Sequence, residues 1–391
     1  MLKVMCVCLL FCQIGIRSFS QGIVKDKLDE LIRKSEASHS SALIIYENNN
    51  LVCEHYASKA RFNRPIEAMS ATKSIVGLAV ACLLDDGLLD DLDVPVFKYY
   101  PEWNQGNKKY ITIRHLVNMT SGIQNVLSAP EEIYPAPDFV QLALAAELSD
   151  QPGTKFSYNN KSVNLLAGVI EKISGKRMDI YIGTRLFKPL DIVDFQWELD
   201  SKGNPHAMSG CLIKPADFVK IGILLLNKGR YNGRVVISEK YLSKVVEPCG
   251  QYGEYGMLWW LKYDQSVSIV DDSTIAAAMA ASSIPDSTKR RILSMKGRYS
   301  TDADFEKKAF ETLGDDAWRY TQDFLPGTIS IRRRELKGII SYKASGYLGN
   351  YIVVDPINNI VAIRMMHRRD YNSEQDGFFN FENLVLGLTR K

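Results

Sequence analysis

The sequence predicts an α/β (α+β) fold: one antiparallel sheet formed from N- and C-terminal strands and flanked by helices, plus a mainly helical lobe. Three observations carry this reading. Strand-like apolar runs cluster near both ends of the chain, as in "SALIIYENNNLVCEHY" and "NYIVVDPINNIVAIRMMHR". Helical runs closed by glycine fill the middle. Between them lies "EAMSATKSIVGLAVACLLDDG", almost wholly apolar from Met69 to Leu84, the pattern of a helix buried on every side.

Length and composition fit that picture. At 391 residues the chain can hold one large domain or two modest ones. With 46% hydrophobic and 24% charged residues it is an ordinary folded protein. A formal net charge of +3 gives no electrostatic case for a nucleic-acid partner.

The first segment, "MLKVMCVCLLFCQIGIRSFSQG", places Lys3 before an apolar stretch and small residues at Ser18 and Ser20. That is the layout of a signal peptide over residues 1–20, and the stretch is too short for an ordinary membrane span. The expectation is an exported protein, periplasmic or secreted, with no stable membrane span after cleavage. Its mature part would be one domain over 21–391. Four cysteines remain there: Cys53, Cys82, Cys211 and Cys249, spaced too widely for a CxxC metal site. An exported location permits a disulfide, but no pairing can be read.

Along the mature chain, "KDKLDELIRK" predicts a charged surface helix and "SALIIYENNNLVCEHY" a hairpin turning on asparagines. The helical lobe spans about 85–250 and includes "ITIRHLV", "FVQLALAAEL", "NLLAGVIEKISG" and "DFVKIGILLLNKG". Residues about 262–337 read as an inserted helical segment, from "TIAAAMAASS" and "DFEKKAFETLG". Strands "GIISYKASG", "NYIVVDP" and "NNIVAIRMMHR" follow, then a closing helix.

Chemistry concentrates in three places. Ser70 and Lys73 stand three apart at the mouth of the apolar helix, on one face of it. Serine needs a base to become a nucleophile, and partial burial favours the neutral, proton-accepting amine of lysine. Tyr158 and Asn160 follow a Pro-Gly turn and are expected in a loop at a helix start, where a nearby ammonium would lower the tyrosine's pKa. "KASGYLGNYIVVDP" sets Gly346 and Gly349 in a strand-like run, permitting close approach by a ligand or backbone. The histidines are scattered, Ser70 lacks a Gly-x-Ser-x-Gly elbow, and His115 reads as structural.

In this order the three pieces resemble the serine penicillin-recognising family: class C β-lactamases, esterases and D-alanyl-D-alanine peptidases, with their Ser-x-x-Lys, Tyr-x-Asn and Lys-Thr-Gly or His-x-Gly motifs. "LLDDGLLDDLDVPVFKYYPEW", "PGTKFSYNN" and "YGMLWWL" add to the likeness, which runs from about Ser41 to the C-terminus outside 262–337. The resemblance implies a β-lactamase/transpeptidase-like fold and catalytic residues Ser70, Lys73 and Tyr158. Asn160 and Ser345 would bind substrate, with Gly346 and Tyr347 at the third motif. An oxyanion hole would come from the backbone N–H groups of Ser70 and Tyr347. It implies no metal or organic cofactor and a small ester, amide or peptide-like substrate.

One departure shifts the expected substrate. Aligning the glycines puts Ala344 where the family carries lysine or histidine, and Lys343 one residue earlier on the opposite strand face. A lost charge-assisted contact costs about 1.5–3 kcal/mol. The expectation is therefore an esterase or amidase. A class C β-lactamase or D-alanyl-D-alanine carboxypeptidase is the alternative, and a non-catalytic penicillin-binding sensor the second.

Overall fold

The computed structural model describes residues 22–59, 62–126, 128–326 and 328–389. The leader expectation for residues 1–20 lies outside them. Among the described residues there are twelve strands: β1 (Ala42–Glu47), β2 (Asn50–Tyr56), β3 (Ile66–Glu67), β4 (Phe195–Trp197), β5 (Cys211–Ile213), β6 (Arg230–Tyr231), β7 (Arg234–Val235), β8 (Trp260–Val270), β9 (Gly297–Tyr299), β10 (Arg333–Gly346), β11 (Asn350–Asp355) and β12 (Ile360–Met365). Seven of them form the main antiparallel sheet in the order β2-β1-β12-β11-β10-β8-β9. N- and C-terminal strands meet at the β1–β12 ladder, which runs from Ala42 opposite Met365 to Glu47 opposite Ile360. The β1–β2 hairpin turns at Asn48 and Asn49, whose φ of 50° and 62° is the left-handed region asparagine tolerates best after glycine.

Both faces of the sheet centre are covered, so β11 and β12 are buried throughout and read as continuous apolar runs. On one face the Lys25–Ala37 and Phe381–Leu386 helices pack Leu28, Leu31 and Phe381 against Leu43, Ile45 and Val353. On the other, the Pro215–Leu226 helix lies flat because Gly222 has no side chain. A Cβ there would stand 2.5 Å from Val361 and 2.7 Å from Ile352. The closing helix is shorter than the sequence suggests, a 3-10 turn at Glu374–Gly377 taking part of its span.

The Thr72–Asp85 helix runs through the largest core, buried from Thr72 to Leu84. It is locked to the Met257–Trp259 segment: Ser74 Oγ donates to the Leu258 carbonyl at 2.7 Å and Trp259 Nε1 to the Ser74 carbonyl at 3.1 Å. Residues 262–337 contain helices at Asp272–Ala280, Asp286–Leu293 and Asp302–Leu313, around their own apolar core of Ile275, Ile292 and Phe305 among others. Strands enclose them. The β8–β10 ladder continues outward from Trp260 opposite Lys343 to Ile269 opposite Arg333, and β9 pairs with its far end.

Arg364 of β12 is wholly buried and acts as a clamp. Its guanidinium donates to the carbonyls of Leu348 and Gly349 at 2.7 and 2.9 Å, to Ser40 Oγ at 2.6 Å and to the Ser38 and Asp376 carbonyls. It thereby fixes the turn after β10. Replacing it with leucine strands several buried carbonyls at about 1–3 kcal/mol each. Urea unfolding of Arg364→Leu is expected to show a loss of at least about 3 kcal/mol.

Candidate active site

Ser70 sits in a 3-10 turn, Met69–Ala71, that feeds the buried helix. Met69, directly before it, has φ 50°, a left-handed conformation that costs a non-glycine residue about 1–2 kcal/mol. Packing of Met69 with Leu348 and Met366 holds the turn in that state. Ser70 itself stays partly exposed.

One helical turn on, Lys73 is only 2% exposed. Its Nζ donates to Ser70 Oγ at 3.0 Å and to the Met208 carbonyl at 2.7 Å. Burial without a carboxylate partner pushes its pKa from the ordinary 10.5 to about 7, so at neutral pH a large fraction is free amine. The Met208 carbonyl belongs to the loop between β4 and β5. That loop is fixed by Glu198 N–H to the Gly210 carbonyl at 2.9 Å and by Met208 N–H to Asn164 Oδ1 at 3.0 Å.

Tyr158 faces the same serine. Its backbone N–H donates to the Phe324 carbonyl at 2.9 Å, its ring stacks on Trp260 at 6.0 Å, and Lys73 Nζ lies 5.0 Å from its ring centre. The expected fall in its pKa is not seen. Burial raises it to about 12, and the hydrogen bond with Ser70 offsets this only in part. The physical reason is the tyrosine's own desolvation, which penalises a phenolate more than the Ser70 hydrogen bond stabilises it. The pair is an amine that accepts protons and a phenol that keeps its own.

Asn160 is the first residue of the Asn160–Ser174 helix rather than a loop residue, the N-cap being Asn159, whose side chain accepts from Ser162 N–H. Asn160 Oδ1 is buried without a hydrogen-bond partner, and Asn160 lines the cavity beside Ser70. Ser345, Gly346 and Tyr347 come from the end of β10, where Gly346 abuts the serine turn. A Cβ there would stand 2.4 Å from the Ala68 carbonyl oxygen and 3.1 Å from Ala71 N. All seven sequence-predicted site residues except Lys73 line one or both of two cavities that meet at Ser70 and Tyr347. One, of about 930 Å³, is bounded by Glu67, Tyr134, Glu198, His206 and Arg368; the other, about 440 Å³, by Trp260, Phe324, Leu325 and Phe379.

Ala344 is buried against the core, and Lys343 turns away: its Nζ donates to Glu382 Oε2 at 2.7 Å. His115 caps its own helix, accepting from Thr112 N–H at 3.2 Å. The four cysteines of the described residues are free thiols. Sequence reasoning missed Glu67, Glu198, His206, Phe324 and the Met208 carbonyl. Glu67 stands three residues before Ser70 and was the one signal available; the others are brought in by folding from distant segments.

An antiparallel sheet and a helical lobe meeting at a serine, a lysine and a tyrosine define the serine-hydrolase class of fold. The chain belongs to the beta-lactamase family, whose family model matches residues 28–379. It is 27% identical over 159 residues to Protein flp of Staphylococcus aureus strain MRSA252, covering 39% of this chain and 32% of that protein. The match thus spans about a third of that curated relative's length. Among solved structures it is similar to the penicillin binding protein from Bacillus halodurans, at 16% identity and TM-score 0.56 over 90% of this chain and 99% of that one. It is also similar to the octameric penicillin-binding protein homologue from Pyrococcus abyssi, at 18% identity and TM-score 0.57 over 93% and 75%. At these identities the structural likeness establishes the fold.

Proposed function

We propose that the protein is an exported serine hydrolase that cleaves an ester or amide bond through an acyl-enzyme on Ser70. The observation that carries this is the 3.0 Å contact between Ser70 Oγ and a buried Lys73 amine whose pKa is lowered to about 7. As free amine, Lys73 takes the serine proton while the oxygen attacks the carbonyl carbon. Tyr158, protonated throughout the neutral range, passes a proton to the leaving group and recovers one from the lysine. The N–H groups of Ser70 and Tyr347 stabilise the oxyanion, and Asn160 orients the substrate with its unpaired Oδ1. Water then hydrolyses the acyl-enzyme by the reverse proton route.

The ester or amide reading is preferred over a class C β-lactamase or a D-alanyl-D-alanine carboxypeptidase because the one lysine near the third motif is engaged by Glu382. A penicillin-binding sensor is disfavoured because the serine, lysine and tyrosine stand together with solvent access at Ser70. Purified protein is expected to form a covalent fluorophosphonate adduct by intact mass. It should hydrolyse p-nitrophenyl esters at least about tenfold more efficiently than nitrocefin, as the missing charge contact implies. Fast nitrocefin turnover would reverse the preference, and no adduct would favour the sensor.

A further inference from the structure

Two carboxylates, Glu67 and Glu198, line the larger cavity beside Ser70. Glu67 lies on β3, three residues before Ser70, and Glu198 opens the loop between β4 and β5. His206, on that loop, is 7% exposed and lines the same cavity, and neither ring nitrogen has a hydrogen-bond partner. Its Nδ1 stands 3.7 Å from Glu198 Oε2, beyond hydrogen-bonding reach. Burial holds this imidazole below its ordinary pKa, so at neutral pH it supplies no charge to balance the carboxylates. Arg368 is the one cation lining the cavity among the described residues, and it is exposed. On the strand side Ala344 is apolar and Lys343 is bound to Glu382, so that side adds no free cation.

From this geometry we infer that the protein's substrate carries a primary ammonium group, which docks between Glu67 and Glu198 while its carbonyl is presented to Ser70. The inference rests on Ser70 being the acylated nucleophile. Two carboxylates lining one half-buried cavity repel each other, and a cation between them relieves the cost. Burial, with the Glu198 charge second, pushes Glu67 up to about 7, and the Gly210 backbone hydrogen bond and the Arg368 charge offset this only in part. Glu67, Glu198 and His206 do not converge as a metal-ligating group among the described residues, which favours an organic cation. The aromatic cavity on the other side of Ser70 takes the second half of the substrate.

Titration calorimetry on the Ser70→Ala protein with 4-aminobutanamide, butanamide and succinamic acid tests this without turnover. All three share the amide that Ser70 would face and differ in the charge at the far end. The amine is expected to bind at least tenfold more tightly than the other two, and a Glu67→Gln/Glu198→Gln double variant to lose that preference. Glu198→Gln alone, at a half-exposed loop position, is expected to weaken the preference at least threefold, which guards against a misfolded double variant. Equal binding of butanamide, or a preference that survives both variants, would overturn the inference. Tighter binding of succinamic acid would do so too and would assign the cavity to Arg368. Fluorophosphonate labelling of wild type is read separately: its absence strikes the acyl-enzyme reading and leaves the calorimetric comparison intact.

Discussion

The Ser70→Ala protein is expected to fold normally and to lose covalent labelling and ester turnover by at least about 10⁴-fold, the scale seen when a catalytic nucleophile is removed. Ser70 is a small residue in a 3-10 turn, and its hydroxyl meets Lys73 and Tyr158 within the site. Deleting that hydroxyl removes no apolar packing, so the urea midpoint should move little while chemistry stops. Intact-mass spectrometry with a fluorophosphonate and a p-nitrophenyl ester assay read the two halves independently. A labelled Ser70→Ala protein would place the nucleophile elsewhere.

Lys73→Met carries the second large effect, and it has two signatures. Turnover should fall by about 10²–10⁴-fold, the usual worth of a general base. In wild type kcat/KM should climb as pH rises through about 7, because the productive form is the amine and protonation removes it. Glu67 titrates in the same window, so the rising limb must persist in Glu67→Gln to belong to the lysine. The second signature is thermodynamic. An unfolded lysine holds its proton up to about 10.5, while the folded one releases it near 7. Between those values the unfolded chain binds one more proton than the native, so native stability rises with pH. That contribution is fully present above 10.5 and lost as pH falls through about 7. Lys73→Met should therefore flatten the stability profile between pH 7.5 and 9.5 by about 1.4 kcal/mol per pH unit. An unchanged slope in urea titrations would mean that the amine is not buried neutral.

Much of the scaffold could be read from one chain because its elements carry local signatures. Strict burial of β11 and β12 shows as apolar runs, and the core helix shows as a stretch without charged residues between Lys73 and Asp85. Ser70 and Lys73 were readable for the same reason, standing three residues apart where the 3-10 turn runs into the helix. The rest depends on groups with no sequence mark. Lys73 is held by a backbone carbonyl at Met208, which any residue could supply. His206 and Glu198 join the cavity because the β4–β5 loop folds back on itself. The direction of the Tyr158 shift was misjudged because it is set by the burial of the tyrosine itself, which a motif does not report. Strand β8 and the outer half of β10 were hidden because "LKYDQSVSIV" and "RRRELKG" mix polar and apolar residues, while the inner half, "GIISYKASG", was readable.

The β8–β10 ribbon ends in a module with its own core, yet it sends Phe324 back to the reaction centre in two distinct ways. The ring packs edge-on against Trp260 at 5.4 Å, and the main-chain oxygen holds Tyr158 N–H. These are separable handles. Exchanging the Phe324 ring for another shape leaves the peptide anchor in place, so the chain can trade one clientele for another by point changes there. Excising the whole appendage would instead unmoor the phenol, and selectivity and turnover would disappear together.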